Sequence, residues 1–124
     1  MNKLVLSPLE HTWIIDLDGT VLLHNGYLIN GEDTFLDGAE DFLKQLPPND
    51  MIVFMTARKS EYREMTENFL KTHGIRYDHI IFDVPYGERI LINDRKKSGL
   101  AMSVAVNRKR DEFEELNITI DNNL

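Results

Sequence analysis

Asp16 and Asp18 stand one residue apart, directly after the apolar run Trp13-Ile14-Ile15 and beside Gly19-Thr20. Strand side chains alternate, so residues i and i+2 project to one side. Two carboxylates placed that way repel unless a cation or a proton intervenes. A divalent ion with oxygen ligands meets that cost, and Mg²⁺ is usually held by one or two carboxylates plus substrate phosphate. The plain alternative is a pair of turn aspartates, since Asp is a favoured turn residue. Asp94 also ends an apolar run, Arg89-Ile90-Leu91-Ile92, far away in the chain, and Thr56 ends another, Met51-Ile52-Val53-Phe54-Met55. A hydroxyl at a strand end can donate to a phosphoryl oxygen. Basic residues there can neutralise its charge, and Arg58, Arg95, Lys96 and Lys97 lie just beyond these runs. Singly, each of these is an ordinary solvated residue; together they suggest a phosphate site.

The elements that must position these residues follow from pattern. Strands are expected at 12–15, 51–55, 79–82, 89–92 and 102–106, from short apolar runs bounded by turn residues. Residues 3–6 fit a short edge strand that Ser7-Pro8 would end. Asp37 followed by Glu40 reads as a helix N-cap and capping box, with Ala39, Phe42, Leu43 and Leu46 on one face and Pro47-Pro48 as the stop. A second helix is expected over 60–73, stopped by Gly74, and a short helix or helical turn over 109–116. Asn25-Gly26 signals a two-residue hairpin, a small flap over the aspartates. Strands alternating with helices give an α/β fold with a mostly parallel sheet. In such a sheet ligands bind at the carboxyl ends of the strands, where Asp16, Thr56 and Asp94 would lie. The link between 79–82 and 89–92 is short for a parallel crossover, which usually needs a dozen or more residues.

Asp16-Leu17-Asp18-Gly19-Thr20 resembles the first motif of the haloacid dehalogenase-like superfamily, whose phosphatases are Mg²⁺-dependent. Met55-Thr56-Ala57-Arg58 resembles its second motif, and Ile92-Asn93-Asp94-Arg95 its acidic motif, with Asn93 where a second aspartate often stands. The resemblance spans residues 12–107. It implies a three-layer Rossmann-like fold and an aspartyl-phosphate mechanism. Asp16 is then the nucleophile and Asp18 the acid and base. Asp16, the Asp18 carbonyl and Asp94 hold Mg²⁺. Thr20, Thr56 and the N–H groups of Leu17 and Gly19 hold phosphate. The family also needs a basic residue on the phosphate. Its usual place in small relatives is Val84 here, so Lys96 is the candidate, with Arg89 and Lys97 behind it. His24 in the flap, Arg58, and Tyr86 in the loop after the third strand are further substrate candidates. Surface or packing roles are the plain readings of His24 and Tyr86. The Arg108-Lys109-Arg110 run reads as a solvated face.

The intervals between motifs leave no room for a cap domain, so the resemblance implies a small capless phosphatase with an open site. Such a site is open unless a neighbouring subunit covers it, so it suits either a bulky substrate or a homo-oligomer. The nearest resemblance is to bacterial phosphatases of capsule and surface-polysaccharide biosynthesis, which implies a small phosphorylated sugar or precursor as substrate. A polynucleotide 3′-phosphatase, a phosphotransferase to an acceptor alcohol and a non-catalytic phospho-ligand module are the alternatives. With 124 residues and a formal net charge of −7, the chain reads as one acidic domain, 1–124. That charge speaks against broad nucleic-acid binding, which relies on clustered Lys and Arg. The absence of cysteine excludes disulfides and thiol nucleophiles. With no apolar run of membrane-spanning length, a cytoplasmic location is expected.

Overall fold

A computed structural model describes residues 2–124. Its strands are β1 (Asn2–Leu6), β2 (Thr12–Asp16), β3 (Met51–Met55), β4 (His79–Ile81) and β5 (Leu116–Ile120); its helices are α1 (Gly26–Ile29), α2 (Ala39–Gln45) and α3 (Arg63–Thr72). The architecture is α/β, and every pairing between these strands is parallel. There are two small open sheets, β2-β3-β4 and β1-β5.

β3 runs between β2 and β4, so its backbone is paired on both sides. Its burial alternates, with Ile52 and Phe54 buried, Val53 and Met55 half-buried and Met51 exposed. Ile52 and Phe54 point into the core with Leu17, Val21, Leu22, Leu43 and Leu70. Burying a side chain such as Phe54 contributes about 1.5–3 kcal/mol. The register sets Asp16 opposite Met55. The chain segments that carry Asp18 and Thr56 therefore leave the sheet at one edge.

The other edge is fixed by two carboxylates, the buried Asp50 and the exposed Asp78. Asp50 accepts hydrogen bonds from the His11 N–H at 3.0 Å and from Trp13 Nε1 at 2.9 Å. Asp78 accepts from the Ile52 N–H at 2.8 Å. These bonds tie the starts of β2 and β3 together, so the register is held at both ends.

Several expectations are corrected. Residues 89–92 and 102–106 form no strands; they lie in irregular chain, with Ile90 82% and Ile92 90% exposed. An apolar run becomes a strand only where a neighbouring backbone pairs with it. The short link after β4 therefore needs no crossover. Over 109–116 no helix forms: residues 110–111 make a turn, 112–115 are irregular, and Leu116 begins β5, which pairs with β1. The Asn25-Gly26 flap is a single helical turn, with Asn25 itself left-handed at φ 57°. Helix α2 starts after Gly38 at φ 85°, with no side-chain cap, so Asp37 and Glu40 make no capping box. The second expected helix is a 3₁₀ turn, Ser60–Tyr62, that runs into α3.

Candidate active site

The loop after β2 folds around one carbonyl. The Leu17 oxygen accepts from the N–H groups of Thr20, Val21 and Leu22 at 3.3, 3.0 and 2.9 Å. Gly19 makes this possible by adopting φ 81°, where a side chain is strained. The loop presents the two aspartates in different surroundings.

Asp16 is half-buried at the mouth of the loop, its side chain 32% exposed. Its Oδ2 accepts from Thr20 Oγ1 at 2.9 Å, and its Oδ1 lies 3.3 Å from Arg89 Nη1. Burial pushes the Asp16 carboxyl above its ordinary value, against the pull of Thr20 and Arg89. Asp18 is gripped. Thr56 Oγ1 donates to its Oδ2 at 2.8 Å, Arg58 Nη2 to its Oδ1 at 2.8 Å, and Arg58 Nε to both oxygens at 3.1 and 3.2 Å.

Arg58 is the hub of the site. Its far edge meets Asp33 in a two-pronged pair, Nη1 to Oδ2 at 2.9 Å and Nη2 to Oδ1 at 2.6 Å. Nη1 also donates to Thr66 Oγ1 at 2.9 Å, and the Tyr27 ring stacks 3.9 Å from the guanidinium carbon. The Arg58 and Asp33 side chains are each 1% exposed. Burial works against the Arg58 charge, but the Asp33 and Asp18 carboxylates outweigh it and hold the guanidinium above its ordinary value. Arginine suits this because its planar fork can serve two carboxylates at once.

The expected site residues are thus sorted. Asp16, Asp18, Thr20 and Thr56 come together at one sheet edge. Arg58 is no free substrate ligand, since its guanidinium is committed to Asp18, Asp33 and Thr66. The Leu17 N–H donates to the Met55 oxygen and the Gly19 N–H to the Leu22 oxygen, at 3.1 and 2.7 Å, so a phosphate would compete with both bonds. The basic residue beside Asp16 is Arg89 rather than Lys96, whose N–H closes an exposed turn with Leu100. Tyr86 is 86% exposed and has no hydrogen bond to the site. The Asp94 carboxylate is exposed and contacts Asn93 Nδ2 at 3.4 Å. Among the described residues no three His, Cys, Asp or Glu side chains stand together as a metal cage.

Sequence reasoning missed Asp33, Asp111 and Arg110. Asp33 lies in an ordinary-looking turn, and no spacing rule links it to Arg58. The Asp111 N–H donates to the Gly19 oxygen at 2.8 Å, and its Oδ1 accepts from the His24 N–H at 2.8 Å. This straps residues 110–111 across the aspartate loop and the flap. The side chain of Arg110 lies on Gly19: a Cβ at Gly19 would meet Arg110 Cγ at 3.0 Å. The arginine run is therefore no simple solvated face.

No family model matches the chain, and no curated protein matches it. Among solved structures it is similar to a chain of the Pnkp1/Rnl/Hen1 complex, at 28% identity and a TM-score of 0.52 over 67% of this chain. The match covers 31% of that chain, so the present sequence spans under a third of it. The likeness supports the α/β fold, and is compatible at that level with a haloacid dehalogenase-like phosphatase. Among the described residues no helix is long and apolar enough to cross a membrane.

Proposed function

We propose that the chain is a Mg²⁺-dependent phosphomonoester hydrolase of the haloacid dehalogenase-like type, working through an aspartyl-phosphate. The observation that carries this is the unequal treatment of two neighbouring carboxylates. Asp16 is the more accessible, 32% exposed against 16% for Asp18, and has one hydroxyl and one more distant arginine on it, while both oxygens of Asp18 are held closely by Thr56 and Arg58. A nucleophile must reach phosphorus; a proton shuttle must be oriented.

In this reading an Asp16 oxygen attacks phosphorus and the ester bond breaks. The leaving oxygen takes a proton from Asp18, which must release one oxygen from Thr56 and Arg58 to carry it. Water then attacks the aspartyl-phosphate, gives its proton to Asp18 and releases phosphate and free Asp16. Arg89, rather than Lys96, holds the phosphoryl group against Asp16. Mg²⁺, when bound, would offset the repulsion between anionic nucleophile and anionic substrate. Its ligands would be the Asp16 carboxylate and the Asp18 carbonyl oxygen, which accepts no hydrogen bond among the described residues. Asp94 is proposed as the third ligand, brought in from its exposed segment.

The proposed substrate is a small phosphorylated sugar or polysaccharide precursor, on the strength of the family resemblance. The arginines around the aspartate loop, a local basic patch in an acidic chain, favour a second reading, a polynucleotide 3′-phosphatase. Phosphate release with Mg²⁺ should be measured on an aryl phosphate, a sugar-phosphate panel and a 3′-phosphorylated oligonucleotide. Asp16→Asn should lower release at least about a thousandfold, as loss of a nucleophile does, and chelation of Mg²⁺ should abolish it. Equal, slow release by wild type and Asp16→Asn on every substrate would overturn the proposal. Steep loss of oligonucleotide turnover with added salt would mark the second reading.

A further inference from the structure

Residues 21–36 leave the aspartate loop as a flap and return to it. The Leu23 N–H donates to the Thr34 oxygen and the Leu36 N–H to the Val21 oxygen, both at 2.9 Å, so the two legs are clipped together. Two flap side chains reach Arg58. Asp33, on the returning leg, meets the Nη1–Nη2 edge of the guanidinium with both oxygens, and the Tyr27 ring lies 3.9 Å from its central carbon. Tyr27 is in turn steadied by an edge contact with Tyr62, 5.1 Å between ring centres. Thr66 of α3 accepts from Nη1 at 2.9 Å and donates to the Tyr62 oxygen at 2.8 Å. None of these groups has a task in the chemistry above.

A guanidinium carries its five N–H donors in a fixed plane. Asp33 occupies the end edge, so Asp18 meets only the side edge, through Nε and Nη2. Without Asp33, Arg58 would be free to turn its end edge to Asp18, and the Asp18 carboxylate would turn with it. The observed orientation is one a proton shuttle needs. Asp18 Oδ1 takes the close arginine contact, Nη2 at 2.8 Å, while Oδ2 is held by Thr56 Oγ1 at 2.8 Å and by Nε at 3.2 Å. Oδ2 is therefore the oxygen more easily freed, because the Thr56 hydroxyl can turn from donor to acceptor. Freeing it leaves Arg58 still paired with Asp33. Both of those side chains are 1% exposed, where an unpaired charge is costly.

We propose that Asp33 is a positioning residue for proton transfer: backed by Tyr27 and acting through Arg58, it fixes the Asp18 carboxylate so that Oδ2 serves the leaving oxygen. This rests on the phosphatase reading. As the bond from Asp16 to phosphorus forms and the ester P–O bond breaks, the Oδ2 proton moves to the departing oxygen. The flap is thereby part of the acid's scaffold, and Asp18 is oriented only while residues 21–36 are seated on Arg58.

The test is kcat/KM at saturating Mg²⁺ on two esters, phenyl phosphate and dinitrophenyl phosphate. This constant reports the steps as far as departure of the phenol. Dinitrophenolate departs without a proton, whereas phenolate gains from a positioned acid, by about a hundredfold or more. Asp33→Asn should lower kcat/KM for phenyl phosphate by about tenfold or more and leave the dinitrophenyl ester within about threefold of wild type. A loss of fold alone lowers both alike. Tyr27→Leu, at a half-buried position, should show the same selectivity at about threefold, the scale of one cation–π contact. It carries the test if Asp33→Asn does not fold. In an Asp18→Asn background, where the acid is already gone, Asp33→Asn should add little further selectivity. Equal losses on the two esters in Asp33→Asn, or in Tyr27→Leu if Asp33→Asn does not fold, would overturn the positioning role. So would full additivity with Asp18→Asn. The phosphatase reading is judged separately: a wild type that turns over neither ester sinks that reading, whereas an active wild type with equal losses sinks only the role of Asp33.

Discussion

At the scale of single residues, the decisive finding is that Arg58 is a structural cation with a positioning role. It neutralises Asp18 and Asp33 while holding Asp18 in one orientation. Removing one partner of a buried charge pair strands the other, at about 3–5 kcal/mol. Arg58→Ala should therefore destabilise the fold by about that much, read from urea unfolding. The double variant Arg58→Ala/Asp33→Ala removes the stranded Asp33 as well, so it should be the more stable of the two by about 1 kcal/mol or more. If the double variant is less stable than Arg58→Ala, the pair is not what holds this corner. The sequence displayed Asp16, Asp18, Thr56 and Arg58 plainly, because each stands at or just past the end of an apolar run. It did not display what Arg58 touches. Its second carboxylate is 25 residues away in a turn, and side-chain pairing between distant loops leaves no periodic trace.

At the scale of elements, legibility follows pairing. β2, β3 and β4 are apolar runs that found one another, and their boundaries are close to those expected. Residues 89–92 and 102–106 are as apolar, yet neither meets a partner backbone. β5, by contrast, has the mixed sequence Leu-Asn-Ile-Thr-Ile and pairs with β1 along its whole length. Strand propensity states what can pair, and tertiary contact decides what does. The loop after β2 offers a direct test. Gly19 and Gly38 both have positive φ, 81° and 85°, but only Gly19 is covered, by Arg110 Cγ at 3.0 Å, while the nearest atom to Gly38, Phe113 Cδ1, is at 3.8 Å. Gly38→Ala should cost only the backbone strain, about 1–2 kcal/mol. Gly19→Ala should cost that and also displace Arg110, so denaturation midpoints should fall further for Gly19→Ala. Equal effects of the two substitutions would show that the Arg110 contact is unimportant.

At the scale of the whole molecule, stability is uneven, and the uneven part carries Asp94. From residue 85 to residue 107 the main-chain hydrogen bonds are those of one turn, Lys96 N–H to the Leu100 oxygen and Gly99 N–H to the Lys96 oxygen, at 3.0 and 2.8 Å. Ile90 and Ile92 in the same segment are largely exposed. A region with few backbone bonds and little apolar burial opens at low free-energy cost. Trypsin should therefore cut first at Arg95, Lys96 and Lys97, well before Arg76, whose guanidinium donates to the Asp50 and Pro47 oxygens at 2.9 and 3.0 Å. Under the proposed function this segment must deliver Asp94 to the cation. A ligand that binds only the assembled arrangement stabilises it by mass action, about 2.7 kcal/mol at a hundredfold excess over its dissociation constant. Mg²⁺ together with beryllofluoride, which mimics phosphate on an aspartate, should then slow cleavage at Arg95–Lys97 by about tenfold or more. Asp94→Asn should lose that protection while keeping the initial cleavage pattern, and Asp16→Asn should lose it too. If protection survives in Asp94→Asn, the third metal ligand lies elsewhere; if wild type shows none, the segment does not close over the aspartates, and the cation must be held by Asp16 and the Asp18 carbonyl with water.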